Sequence, residues 1–176
     1  MLIDANDLAP GHELTSQVCI IGAGAAGIVA ARYLAERAID VVLANAGFGV
    51  SGAAIKLETD DYRRQFETNV FGVIDTIHAT LPHLRESKGR LAIVSSVMGR
   101  VGLPASGPYC ASKFALVGLA ESLYYDLAEV GVSVTCINPG VVSSEIRTLN
   151  NQGEHTGRKD PAPKYLVMST GVAARK

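Results

Sequence analysis

Apolar residues along the chain gather into four short runs, at 17–21, 40–44, 90–95 and 132–138, each five to seven residues long and bounded by glycine, proline or polar residues. Runs of that length, rich in valine and isoleucine, predict buried β-strands. The stretches between them predict helices at 25–37, 60–86 and 108–129, with a kink at Pro82 in the second and a short terminal helix capped by Ser169 or Thr170. Thr59, followed by Asp60 and Asp61, supplies a capping hydroxyl and first-turn acids for the helix at 60–86. Strands that alternate with helices of this length imply right-handed crossovers and a parallel sheet covered on both faces.

Open parallel sheets place their chemistry at the carboxyl ends of their strands, and the polar residues at those ends are informative here. The run at 90–95 leads into Ser95-Ser96, the run at 132–138 into Pro139-Gly140, and the run at 40–44 into Asn45-Ala46-Gly47. Gly107-Pro108 opens the last long helix, so Tyr109 and Lys113 fall at i and i+4 on one face. A free phenol titrates near pH ~10, so a base usable at neutrality needs a pKa about 3 units lower, or ~4 kcal/mol of preferential phenolate stabilisation. The Lys113 ammonium and the positive end of the helix dipole are the expected sources. A tyrosine and a lysine four apart are common, and the bland alternative is a solvated lysine beside a half-buried tyrosine. Ser96, thirteen residues before Tyr109, and the three strand ends favour a proton-transfer site.

Together these residues resemble the short-chain dehydrogenase/reductase family, closely between about residues 40 and 146. Asn45-Ala46-Gly47 is similar to the family's Asn-Ala-Gly strand end, Asn69 to its helix asparagine, Ser96 to its serine, Tyr109 and Lys113 to its Y-x-x-x-K, and Pro139-Gly140 to its Pro-Gly turn. Ser144 stands where the family usually has threonine. The resemblance implies an α/β Rossmann-like doubly wound parallel sheet, reduced to four or five strands, in one domain spanning residues 1–176. It implies hydride transfer between NAD or NADP and a small-molecule carbonyl or alcohol. Tyr109 would exchange the hydroxyl proton, Lys113 would lower its pKa and grip the nicotinamide ribose, Ser96 would orient the substrate oxygen, and Asn69, at a helix irregularity, would hold a relay water through its carbonyl. Asn45, Ala46, Gly47, Tyr109, Lys113, Pro139, Gly140, Val142 and Ser144 are the implied cofactor contacts. Family members pair through their long helices, which implies a homodimer or homotetramer.

The N-terminus departs from that pattern. Gly22, Gly24 and Gly27 form G-x-G-x-x-G after the first apolar run, a dinucleotide fingerprint, and residues 1 to about 43 resemble the start of a flavin-dependent oxidoreductase of the glucose-methanol-choline type. The acid that would bind the ribose is replaced by Asn45. Only seventeen residues separate Gly27 from Asn45, so roughly two strands and two helices of the family are missing, and a junction is expected near residues 40–45. The segment after Ser144 is also short, and an uncovered sheet edge would favour self-association. Half a nucleotide cradle predicts NAD(P)H binding weakened roughly a hundredfold, to the high micromolar range. Two alternatives to the enzyme stand: an inactive Rossmann-like remnant that self-associates or binds partners, and an FAD-binding domain.

Composition supports a compact chain, with 48% hydrophobic residues and a net charge of −1 that argues against a nucleic-acid partner. Cys19, Cys110 and Cys136 read as small buried hydrophobes in a reducing, cytoplasmic setting. His12, His78, His83 and His155 lack metal-ligand spacing, so no metal is expected. No signal-peptide core precedes Glu13, and residues 18–29 are too short and glycine-rich to span a bilayer.

Overall fold

The computed structural model describes residues 18–21, 41–143, 145–148, 150–151, 156–157, 162–169 and 172. Four parallel strands form one sheet in sequential order: β1 (Val18–Ile21), β2 (Val41–Ala44), β3 (Arg90–Val94) and β4 (Ser133–Ile137). The register sets Val18 opposite Val41, Val41 opposite Arg90 and Arg90 opposite Ser133, so the carboxyl ends of all four strands come out together. This is the Rossmann-like α/β arrangement expected from the alternating pattern. All four residues of β2 are buried, as befits a strand covered on both faces, whereas β4 alternates between exposed and half-buried positions.

Between β2 and β3 the chain forms α1 (Thr59–Phe66), a π-helical turn (Glu67–Phe71) and α2 (Gly72–Ser87). Between β3 and β4 lies α3 (Gly107–Ala128). Val73, Ile77 and Leu84 of α2 and Leu116, Ala120 and Leu127 of α3 close over Val42, Leu91 and Ile93 in a single core. Pro82 lies inside α2, which continues to Ser87 and ends on Lys88 in the left-handed conformation.

Two local expectations are corrected. Helix α1 is capped by Glu58 rather than Thr59, because the Asp61 carboxylate reaches back 3.1 Å to accept from the Glu58 amide, closing the first turn one residue earlier. Cys110 is buried, but Cys136 is half-exposed, since it lies on β4 at the margin of the described sheet. Ser169 Oγ accepts from the Val172 amide at 3.4 Å, while the short terminal helix expected there lies outside the described residues. No helix of the described residues is long and apolar enough to cross a membrane. The glycines Gly22, Gly24 and Gly27, the helix expected at 25–37, and Ser144 lie outside the described residues.

Candidate active site

The chain leaves β3 through Ser95 and Ser96 in extended conformation, and the turn Val97–Gly99 follows. The Ser95 amide donates to the Ile137 carbonyl at 2.8 Å and the Val97 amide to the Pro139 carbonyl at 2.9 Å, which carries the β3–β4 pairing beyond the strands into the Pro139-Gly140 turn. The Ser96 side chain accepts from the Met98 amide at 3.1 Å and stands near enough to the Tyr109 hydroxyl to draw its pKa downward. Gly107 and Pro108 begin α3, as their sequence predicts, and place Tyr109 and Lys113 one turn apart over this strand end.

Lys113 is buried, with 4% of its surface exposed, and its ammonium donates to the Val94 carbonyl at 2.8 Å. Nζ lies 5.7 Å from the centre of the Tyr109 ring. Burial lowers the Lys113 pKa from 10.5 to about 8. The Tyr109 phenol is pushed above its ordinary value, chiefly by burial; the Ser96 side chain and the positive charge of Arg147 pull it the other way. This corrects the expectation of a phenol lowered by Lys113. The ammonium is committed to a backbone carbonyl and stands over the ring, and desolvation of the phenolate outweighs the remaining favourable contacts.

The helix irregularity expected at Asn69 is present as the π-helical turn. Its side chain does not reach the lysine; Nδ2 donates to the Phe48 carbonyl at 3.0 Å and to Ser112 Oγ at 3.2 Å, and Oδ1 accepts from the Phe48 amide at 3.1 Å. The loop Asn45-Ala46-Gly47-Phe48 that follows β2 is therefore held by the Asn69 side chain beside the tyrosine, where a Cβ on Gly49 would come within 3.6 Å of the Tyr109 ring. Ser51 and Asn151, a hundred residues apart, exchange two hydrogen bonds of 2.9 Å: the Ser51 amide donates to Oδ1 and Nδ2 donates to the Ser51 carbonyl. Arg64 donates to the Asn151 carbonyl. Further on, Val142 bridges to Met168, with the Ser143 amide donating to the Met168 carbonyl at 2.9 Å.

Several residues around this site were invisible to sequence reasoning. Gln65 binds the same loop as Asn69, and the only signal was its place four residues earlier on the same helix. Arg147, which donates to the Val142 carbonyl at 3.1 Å, acts on Tyr109 by charge, and nothing in the polar stretch around it marked it out. Gly99 is a third. A Cβ there would lie 2.5 Å from Ser95 Oγ and 2.7 Å from the Lys113 carbonyl oxygen, atoms already joined by a 2.8 Å hydrogen bond. Gly99→Ala is accordingly expected to destabilise the fold by about 2 kcal/mol, measured by urea unfolding. A variant as stable as the parent would show that this turn is looser than its contacts imply.

The short chain dehydrogenase family profile matches residues 24–155, three quarters of the sequence. The chain belongs to that family. The match takes in residues 24–43, which the flavoprotein resemblance also claimed, and leaves that resemblance without support. The chain is 41% identical over 109 residues to an uncharacterized oxidoreductase, YusZ, of Bacillus subtilis, covering 61% of this chain and 39% of the relative. It is 34% identical over 130 residues to a 3-ketodihydrosphingosine reductase of Bacteroides thetaiotaomicron, covering 73% of this chain and 48% of the relative. Among solved structures, a 3-oxoacyl-[acyl-carrier protein] reductase with bound NAD from Brucella melitensis is 28% identical with a TM-score of 0.56, covering 68% of this chain and 48% of that one. The chain thus spans about half the length of these relatives, or less.

Proposed function

We propose that this short-chain dehydrogenase is an oxidoreductase that moves a hydride between NAD(H) or NADP(H) and a small-molecule carbonyl or alcohol. The observation that carries the reading is the convergence of Ser96, Tyr109 and Lys113 at the carboxyl edge of the sheet, with the buried Lys113 ammonium 5.7 Å from the Tyr109 ring centre and bound to the Val94 carbonyl. The donor set fits a nicotinamide riboside: two hydroxyls and an ammonium stand beside a Pro139-Gly140 turn whose glycine faces open space. The coenzyme, when bound, supplies or accepts the hydride. Tyr109 holds the proton that a reduced carbonyl needs, and its raised pKa keeps it protonated at neutral pH. Ser96 orients the substrate oxygen toward that proton, and Lys113 offers its ammonium to the nicotinamide ribose. Asn69 supports the set by fixing the β2 loop. Pro139, Gly140 and Val142 line the nicotinamide end; Ser144 and the glycines Gly22, Gly24 and Gly27 are further proposed contacts. The NAD-bound reductase and the oxidoreductase relatives support this assignment.

Purified protein incubated with NADH or NADPH and a panel of ketones and aldehydes tests the proposal through nicotinamide absorbance. Slow turnover is the expected result; no turnover and no binding of either coenzyme at millimolar concentration would refute it. Isothermal titration is expected to give a dissociation constant in the high micromolar range, given the short connection between Gly27 and Asn45. A low-micromolar value would show that the adenosine half is held after all.

The proposal extends to assembly and organisation: one domain over residues 1–176 that pairs as a homodimer or homotetramer. Phe71 at the end of the π-helical turn and Tyr124 and Tyr125 of α3 are 50%, 58% and 73% exposed, large aromatic side chains suited to cover by a second copy. Light scattering at micromolar concentration is expected to report a dimer or larger species, and a clean monomer would refute the pairing.

A further inference from the structure

Two buried amides on one helix converge on the loop after β2. Gln65 and Asn69 stand four residues apart, both with no exposed surface. Gln65 Oε1 accepts from the Val50 amide at 2.6 Å while its Nε2 donates to the Phe48 carbonyl at 2.8 Å. Asn69 grips the same peptide from the other side, so the Phe48 carbonyl receives two amide donors. Of the groups bound here, only Gln65 reaches Val50, whose side chain is also fully buried. From this loop, Gly49 faces the Tyr109 ring across a space that a methyl group would just fill, a Cβ there standing 3.6 Å from its Cδ2. A second arm runs from Asn69 through Ser112, whose hydroxyl donates to the Tyr109 carbonyl at 2.8 Å. Loop and tyrosine are therefore both tied to Asn69, and the loop to Gln65 as well.

We propose that Gln65 is a positioning residue of the oxidoreductase: it preforms the Phe48–Val50 backbone against the Tyr109 ring, at the sheet edge where the nicotinamide coenzyme is read to lie. The inference rests on that functional reading. A loop already fixed before the coenzyme arrives spares the ordering cost that binding otherwise bears, so losing Gln65 weakens coenzyme binding more than it slows the chemical step. Asparagine is too short to span both contacts. Glutamate keeps the shape and one acceptor but loses the donor, and its carboxylate would face the Phe48 carbonyl. Burial and that carbonyl both favour the neutral acid, which restores the full pair of hydrogen bonds.

The test is steady-state kinetics of Gln65→Met and Gln65→Glu against the parent, at about pH 8 and about pH 5.5, with NADH and NADPH. Gln65→Met is expected to raise the coenzyme KM about tenfold at both pH values, with kcat within about twofold. Gln65→Glu is expected to match it at the higher pH and return to the parent value at the lower one. Among the described residues, Arg64, over the Phe48 ring at 5.6 Å, and Tyr109 with Lys113 over its ring are ionisable groups near this loop, and the parent profile controls for them. Equal KM for all three proteins, or a kcat loss without a KM change, overturns the positioning role alone. Should the variants not fold, hydrogen exchange on the parent decides. Slow exchange of the Val50 amide without coenzyme supports a preformed loop, and fast exchange that slows only on coenzyme addition overturns it. A parent that binds neither coenzyme refutes the proposed function, and the positioning role with it.

Discussion

Tyr109→Phe is expected to lower carbonyl reduction by about a thousandfold or more while leaving the dissociation constants for NADH and NADPH within about twofold. The substitution removes one hydroxyl and keeps the ring. That ring faces Gly49 and lies under the Lys113 ammonium, an arrangement that phenylalanine preserves. The lost hydroxyl is the group that Ser96 acts on at the strand end. A positioned general acid contributes roughly a hundred- to ten-thousandfold, and the buried phenol, held protonated at neutral pH, is suited to donate rather than to accept. Single-turnover kinetics with saturating coenzyme would isolate the step. Retention of more than a few per cent of parental activity would remove Tyr109 from the acid/base role.

Lys113→Met should abolish turnover and yet stabilise the protein at neutral pH. The lysine titrates near 10.5 when unfolded and about 8 when folded, so below both values each state carries the proton and the native state bears the cost of a buried charge. That cost is on the order of 3 kcal/mol. Between pH 8 and 10.5 the unfolded chain binds more protons than the folded one, and stability rises with pH across this window. Methionine fills a similar volume without the charge but leaves the Val94 carbonyl without its donor, which returns about 1 kcal/mol. The net expectation is a gain of about 2 kcal/mol at pH 7 and a loss of the rise above pH 8, read by urea unfolding at the two pH values. A variant less stable than the parent at pH 7 would contradict the account. A buried lysine kept against its own stability cost is intelligible if its ammonium serves the coenzyme.

The four strands and the helices at 59–87 and 107–128 were legible because their signals are local. Val41–Ala44 and Ser133–Ile137 fall within the runs predicted at 40–44 and 132–138, since short apolar segments between turn residues leave little choice of structure. Tyr109 and Lys113 were legible as a pair because helical spacing alone puts them on one face. What escaped depends on contacts distant in sequence. The direction of the Tyr109 pKa follows from its burial, which spacing does not reveal, and the reach of Gln65 to Val50 requires knowing that α1 folds back over the β2 loop. The cap moved from Thr59 to Glu58 because Asp61 competes for the same turn, a choice between two acceptable starts.

The Ser51–Asn151 exchange has an evolutionary reading. Asn151 presents its side-chain amide to Ser51 as a neighbouring strand would present a peptide, so the loop after β2 and the loop after β4 are paired without a common strand. Loop lengths on a sheet edge ordinarily drift independently, each insertion being absorbed by its own turn. Here a residue gained or lost between Val142 and Asn151 would pull the amide off Ser51, and a change between Ala44 and Ser51 would do the same from the other side. Descendants of this chain are therefore constrained to change both loops together or to lose the link.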